Sequence, residues 1–273
     1  MPNPTEITSL QNPRVKALVK LRDHRGRRSA GLFIAEGYRE VSRAIDAGLR
    51  IQSIWNCFDL QPGTTGLTYD GDCEWVCVPE PVFRKIAYVR DPEGILAVCV
   101  PPRWSVDALP PADKTTLDLI AVGTEKPGNL GAMVRTADLA GCRSVIAAGT
   151  PIDCVNPNAI RASTAAVFTL PTISLGEDDA LAYLREHNIR LVAAVVDGEI
   201  EHTQADYTGP CAIAIGPEDT GLSDAWRQAA RDTGGATVTI PTVGRSADSL
   251  NASVAAGILL FEAVRQRKSA SLQ

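Results

Sequence analysis

The polar residues of this chain with the most chemical potential gather in three glycine-bearing loops, each between a strand-like and a helix-like segment. The first, Gly123-Thr-Glu-Lys-Pro-Gly-Asn-Leu-Gly131, leads into a helix that carries Arg135. Glycines there permit close backbone approach to a ligand, and the helix start presents free N–H groups. It has neither the Gly-x-Gly-x-x-Gly of a dinucleotide site nor the Gly-Lys-Ser/Thr of a P-loop. Asn129 is equally suited to capping the helix, and Arg135 to a solvated helix face beside the apolar stripe Leu130, Met133, Val134 and Ala137. The second loop, Ile215-Gly-Pro-Glu-Asp-Thr-Gly-Leu-Ser223, sets Glu218 between Gly216 and Gly221; local sequence alone favours a plain turn before a helix capped at Ser223, with Glu218 exposed. The third runs from Ile240 through Leu250 and Asn251 to Ser253. Ser249 or Asp248 is its natural N-cap, and Asn251 in a first helical turn is unfavourable unless its side chain bonds elsewhere.

Other chemistries lack their residues. His24, His187 and His202 are scattered, with no His-x-x-x-His pair and no Gly-x-Ser-x-Gly elbow, so the usual imidazole base is not expected. Seven cysteines (57, 73, 77, 99, 142, 154 and 211) are an odd number without secretory context, which predicts reduced thiols in the cytoplasm. Cys73 and Cys77 have no second pair or histidine at ligand spacing, and zinc needs about four ligands, so no metal is expected.

The elements that must position these loops alternate along the chain. Helices are predicted over Pro13–Lys20 and Tyr38–Ala47, with strands at Ile51–Trp55, Glu74–Val78 and Ile95–Val100, making a small α/β domain. A Pro-rich stretch from Pro101 to Pro111 reads as a linker. Beyond it, strands are predicted at Leu117–Val122, Ser144–Ala148, Arg190–Val196, Cys211–Ile215 and Ala236–Ile240. Helices are predicted near Leu130–Ala140, Ala159–Val167, Asp179–His187, Ser223–Asp232 and Ser249–Arg267. Such alternation implies a mostly parallel sheet covered on both faces, with ligands at the carboxyl ends of its strands.

Composition bounds the partners. With 273 residues, 45% of them hydrophobic and 22% charged, the chain is an ordinary globular one of about two domains. No apolar run approaches the roughly 20 residues of a membrane span, and the start MPNPTEITSLQ lacks a signal-peptide pattern, so no membrane association or secretion is expected. The net charge of −5 is unevenly spread: residues 1–50 hold ten Lys/Arg against five Asp/Glu, +5, leaving −10 for the remainder. A basic end on an acidic chain suggests a polyanion partner, a solvated helix face being the alternative. Its candidates are Arg14, Lys16, Arg25, Arg27 and Arg28.

In this order, the three loops resemble those of the SpoU (TrmH-like) RNA ribose 2′-O-methyltransferases of the SPOUT superfamily. Asn129-Leu-Gly131 with Arg135 is similar to the family's Asn-x-Gly-x-x-x-Arg, and Gly216, Glu218 and Gly221 to its Gly-x-Glu-x-x-Gly. Ile240-Pro-Thr-Val-Gly with Ser249-Leu-Asn-Ala-Ser253 resembles its Ile-Pro-x-x-Gly and Ser-Leu-Asn-x-Ser. Arg161–Phe168 resembles the helix before the middle strand, with alanine where glycine is common. Pro217, Asp219 and Ala252 depart from the usual residues without removing a candidate polar group. Residues 9–48 look like the accessory RNA-binding domain similar to ribosomal protein L30e.

The resemblance implies an α/β protein with an L30e-like RNA-binding domain at 1–103, a linker at 104–116, and a mostly parallel, trefoil-knotted methyltransferase domain at 117–273. It implies S-adenosylmethionine bound by backbone groups of loops that include Gly149, Gly216, Ile240 and Leu250, and a homodimer with its sites at the subunit interface. Arg135 would act at the ribose hydroxyl, with Asn129, Glu218, Ser249 and Asn251 holding the arginine, ribose or cofactor in place. The expected substrate is structured RNA, first 23S ribosomal RNA and second transfer RNA. A catalytically inactive RNA-binding protein of the same fold is the competing expectation, and a nicotinamide enzyme is disfavoured by the missing glycine fingerprint.

Overall fold

The computed structural model describes residues 4–60, 67, 69, 71–149, 153–244 and 249–270. In chain order its elements begin with β1 (Thr5–Glu6), α1 (Pro13–Lys20), α2 (His24–Ala30), β2 (Phe33–Glu36), α3 (Tyr38–Asp46), β3 (Ile51–Asn56), β4 (Glu74–Cys77), α4 (Glu80–Ile86) and β5 (Ile95–Cys99). They continue with β6 (Leu117–Val122), α5 (Pro127–Leu139), β7 (Ser144–Ala148), α6 (Pro157–Ala162), β8 (Thr172–Leu175), α7 (Glu177–Glu186) and β9 (Arg190–Ala194). The last are β10 (Ile200–Glu201), β11 (Cys211–Ile215), α8 (Asp224–Asp232), β12 (Ala236–Thr239) and α9 (Ala252–Ala270). They form two compact units, Met1–Arg103 with Val155–Thr169, and Trp104–Cys154 with Leu170–Gln273.

The first unit is built on a mixed sheet of order β1-β4-β3-β5-β2, in which β5 runs antiparallel to both neighbours. Helices α1 and α4 bury Val15, Leu18, Val82, Phe83 and Ile86 against Trp55, Val76, Leu96 and Val98 of the sheet. Phe168 packs on Phe33 with ring centroids 5.4 Å apart. Helix α2 has a single buried residue, Arg27, so apolar periodicity could not reveal it. The helix expected over Ala159–Val167 is shorter than the sequence suggests. Asn156 caps α6 by accepting the Asn158 N–H at 2.9 Å, but Thr164 and Ala165 adopt φ of 49° and 68°. Left-handed residues cannot continue a right-handed helix, so a 3₁₀ turn at Ala166–Phe168 follows.

The second unit carries a seven-stranded sheet of order β10-β12-β9-β11-β6-β7-β8, parallel at every pairing. Ile120, Val122, Ile146, Ala148, Leu191, Ala193, Ala212 and Ala214 face α7 and α8, which contribute Leu181, Leu184, Trp226 and Ala230. The alternate residues, among them Leu119, Val145 and Ile213, are also buried, as strand alternation requires when both faces are covered. On that second face lie α5 and α9, whose Met133, Val134, Ala137, Leu259, Leu260 and Ala263 are buried. A parallel sheet gathers every carboxyl end at one edge, so the loops after β6, β11 and β12 meet there.

Two predicted helix starts differ in the structure. Helix α5 begins at Pro127 with Lys126 in the capping position, so Asn129 lies inside the first turn and is not the cap. Helix α9 begins at Ala252, not Ser249; Asp248 lies outside the described residues. Asn251 takes the cap instead: its carbonyl accepts from Val254 and Ala255, and its Oδ1 accepts the Ser253 N–H at 3.0 Å.

Candidate active site

Glu218 is the hub at the carboxyl edge of the parallel sheet. Its Oε1 accepts from Asn129 Nδ2 at 3.1 Å, from Asn251 Nδ2 at 2.5 Å and from the Ala252 N–H at 3.3 Å. Its Oε2 lies 3.5 Å from Lys126 Nζ. Ser249 Oγ donates to the Glu218 carbonyl at 3.5 Å, and Asn251 Nδ2 also reaches Asn129 Oδ1 at 3.5 Å. One carboxylate thus ties together the loops after β6, β11 and β12. The Asn251 amide has both ends assigned: Oδ1 caps α9, which leaves Nδ2 to donate to Glu218. The need for an outside partner noted from sequence is met by this bond. The Ala252 amide, and then Lys126 and Asn129, hold the Glu218 carboxyl below the usual carboxylate range. At neutral pH it is therefore an anion that accepts hydrogen bonds and a poor proton acceptor.

Beside this hub opens a cleft of about 640 Å³, lined by Gly216, Glu218, Leu222, Ile240, Ser249 and Leu250 among others. Its size suits a nucleoside-sized ligand. Its shape rests on glycine. A Cβ on Gly216 would stand 2.6 Å from the Gly221 carbonyl carbon and 2.7 Å from Leu222 N. Gly123, at φ 57°, similarly leaves room for Pro217, whose Cγ would lie 2.8 Å from an added Cβ. The proline that departs from the family pattern is accommodated by a glycine one strand away.

The sequence candidates divide in three ways. Asn129, Glu218, Ser249 and Asn251 come together, and Gly216, Ile240 and Leu250 line the adjoining cleft. Arg135 is exposed on α5 and makes no hydrogen bond among the described residues. Gly149 stands apart from the cleft lining, at the end of β7 with φ 88°. Its missing side chain makes room for Glu177, whose Oε2 accepts from Trp226 Nε1 at 2.8 Å. Two groups of the cluster escaped the sequence reading: Lys126 and the Ala252 N–H. A lysine before a proline is unremarkable in sequence, and a backbone donor has no sequence signal.

The basic end is corrected at one position. Arg27 is buried, and its Nη1 donates to the Leu21 carbonyl at 2.7 Å and the Arg22 carbonyl at 2.6 Å, so it is committed to the fold. Arg14 makes a two-bond contact with Glu74, at 2.9 and 2.5 Å, and lies over the Trp55 ring. Lys16, Arg25 and Arg28 are exposed. Among the described residues, no group of three or more His, Cys, Asp or Glu is placed to hold a metal ion, and no helix is long and apolar enough to cross a membrane.

Comparison with known proteins matches residues 116–261, more than half of the chain, to the SpoU rRNA Methylase family. The chain belongs to the SpoU family. Residues 12–97 match the MRM3-like substrate binding domain, so both parts of this SpoU protein have counterparts. It is 30% identical to the 23S rRNA (uridine(2479)-2′-O)-methyltransferase of Streptomyces viridochromogenes, over 98% of this chain and 94% of that protein. Among solved structures it resembles an RNA 2′-O ribose methyltransferase with a TM-score of 0.82 and 38% identity, over 96% of this chain and 99% of the other. An AdoMet-bound rRNA methyltransferase from Sinorhizobium meliloti gives a TM-score of 0.82 and 31% identity, over 96% and 97% of the two chains. The sequence-level resemblance to the SpoU methyltransferases therefore holds in family and fold.

Proposed function

We propose that this SpoU protein transfers a methyl group from S-adenosylmethionine (AdoMet) to a ribose 2′-hydroxyl of 23S ribosomal RNA. The observation that carries the reading is the convergence of Asn129, Glu218 and Asn251 from three loops beside the glycine-shaped cleft. The residues present fit the donor. Gly216 closes on the Gly221–Leu222 backbone where a Cβ would intrude, and Ile240 and Leu250 add apolar walls to the cleft. When bound, S-adenosylmethionine supplies a methyl group on a cationic sulfur that becomes neutral once the methyl has left.

The chain's own contribution is position and charge. Asn129, Glu218 and Asn251 hold three loops in one arrangement, which fixes the cleft relative to α5. Arg135, free on that helix, stabilises charge developing on the ribose oxygen and grips the neighbouring phosphate. Its guanidinium does not give up a proton in a protein, so it acts as a cation and not as a base; as the O–C bond forms and the S–C bond breaks, the hydroxyl proton leaves to water. Ser249 braces the Glu218 loop through its carbonyl.

The wider organisation belongs to the same proposal. Residues 1–103 anchor the RNA, with Lys16, Arg25 and Arg28 as phosphate contacts, 104–116 act as linker, and 117–273 carry the transfer. The protein works as a cytoplasmic homodimer; exposed Leu139, Val254 and Phe261 on α5 and α9 support pairing through these helices. The same reading has the C-terminal segment threaded as a trefoil knot. Incubation with labelled methyl donor and separate pools of ribosomal and transfer RNA, followed by mapping of 2′-O-methyl positions, tests the reaction. Label confined to one 23S nucleotide is expected. Label in transfer RNA alone, or RNA binding without any label, overturns it.

A further inference from the structure

The Glu218 hub uses its two oxygens unequally. Oε1 takes three donors from Asn129, Asn251 and Ala252, which suffices to join the loops. Oε2 meets Lys126 alone among the described residues, at 3.5 Å, with the lysine side chain 75% exposed. A long, exposed ion pair of this kind holds its lysine weakly. The pair is thus expendable to the scaffold, since its loss leaves every bond to Oε1 in place.

The surrounding charge gives Lys126 a use. Glu218, its chain neighbour Asp219, and Glu125 next to Lys126 in the chain are all exposed. An RNA backbone approaching the cleft mouth meets these carboxylates, and like charges at short range oppose binding. Lys126 stands among them, whereas Lys16, Arg25 and Arg28 belong to the other unit. Its flexible stem lets the ammonium turn from Glu218 to a phosphate without moving the loops.

We infer that Lys126 is a substrate-positioning residue: Glu218 holds its ammonium in reserve, and it passes to a phosphate of the RNA when the target nucleotide docks. The inference rests on the RNA-directed reading above. It differs from a role in tuning Glu218, which would act on the transfer step and not on RNA affinity.

The test compares wild-type protein with Lys126→Met and Lys126→Arg, using 23S ribosomal RNA transcribed in vitro. RNA affinity is measured as a function of salt, separately from steady-state methyl transfer and from calorimetric titration with S-adenosylhomocysteine. Lys126→Met is expected to weaken RNA binding roughly five- to tenfold, with a salt slope shallower by about one, the mark of one lost phosphate contact. KM for RNA rises accordingly, kcat changes less than twofold, Lys126→Arg restores both, and S-adenosylhomocysteine affinity stays unchanged. A fall in kcat with RNA affinity and salt slope unaltered overturns the inference in favour of tuning. Unchanged behaviour throughout overturns it in favour of an idle surface pair, and lost S-adenosylhomocysteine binding in favour of a scaffold role. If the wild type transfers no methyl group while Lys126→Met still weakens RNA binding and flattens its salt slope, the reaction fails and the lysine contact stands.

Discussion

Each polar side chain of the hub has a separable task, and substitution should separate them. Arg135 makes no hydrogen bond among the described residues, so Arg135→Ala should reduce methyl transfer at least a hundredfold, on the order of a lost oxyanion-type contact, with S-adenosylhomocysteine affinity nearly intact. Single-turnover transfer and calorimetry check the two halves; retained activity would remove Arg135 from the reaction. Glu218 predicts a pH signature. Its carboxyl is held below the usual range by the Ala252 amide first, then by Lys126 and Asn129. The folded site therefore favours the ionised form, and its contribution is present above the ordinary value and lost as pH falls through the depressed one. Calorimetry should find cofactor-product binding level from pH 8 to 5, with Glu218's loss only below about pH 4.3, the ordinary glutamate value. In Glu218→Gln that acid limb should disappear. A decline in the wild type already at pH 6 would place the controlling group elsewhere.

At the scale of elements, a single helix shows how one residue type serves opposite ends. In α2, Arg27 points inward and Arg28 outward. Arg27→Ala should cost about 1–3 kcal/mol of stability by stranding the carbonyls of Leu21 and Arg22, measurable by denaturant titration. Arg28→Ala should leave stability within about 0.5 kcal/mol and weaken RNA binding with a shallower salt slope. Equal effects of the two on RNA affinity alone would contradict their opposite placement. Just before the 3₁₀ turn that follows α6, Ala165 sits at φ 68°, where a side chain is disfavoured by roughly 1–2 kcal/mol. Ala165→Gly should raise stability by up to about 1 kcal/mol, since glycine's greater unfolded freedom offsets part of the relief. Among the loops, Gly216→Ala drives a Cβ into the Gly221–Leu222 backbone and should abolish cofactor-product binding while the fold survives.

Across the second unit, the parallel sheet divides labour between its edges. The carboxyl edge holds the Glu218 hub and cleft. At the amino edge, Asp118, fully buried, pairs with Arg143, accepts from Ser144 Oγ at 2.8 Å, and shares Arg143 with the Tyr183 hydroxyl. Arg143→Met leaves Asp118 buried and unpaired and should cost about 3–5 kcal/mol. Thermal and denaturant unfolding should show that loss, while kcat at a temperature where the variant is folded should stay near wild type because the site lies at the other edge. The buried thiols have no comparable part to play: burial pushes Cys99 and Cys211 up to about 12, which keeps them protonated and unreactive at neutral pH.

The alternation of apolar strands and helices was set by residue order alone, and with it the parallel sheet and the edge at which ligands gather. Strands such as Leu117–Val122 and Cys211–Ile215 were legible to the residue, because burial on both faces leaves continuous apolar runs. Helix α2 and the short strand β8 were not, because a helix that buries one arginine and a strand reading Thr-Ile-Ser-Leu carry little apolar pattern. The three loops could be named in advance as belonging together, but their bonds could not. It took the packed fold to decide that Asn251 caps α9 with its oxygen and grips Glu218 with its nitrogen, that Lys126 pairs loosely with the outer oxygen of Glu218, and that Arg27 turns inward. Local pattern records which face of an element is apolar. Which donor meets which acceptor across 89 residues between Asn129 and Glu218 depends on how the elements pack.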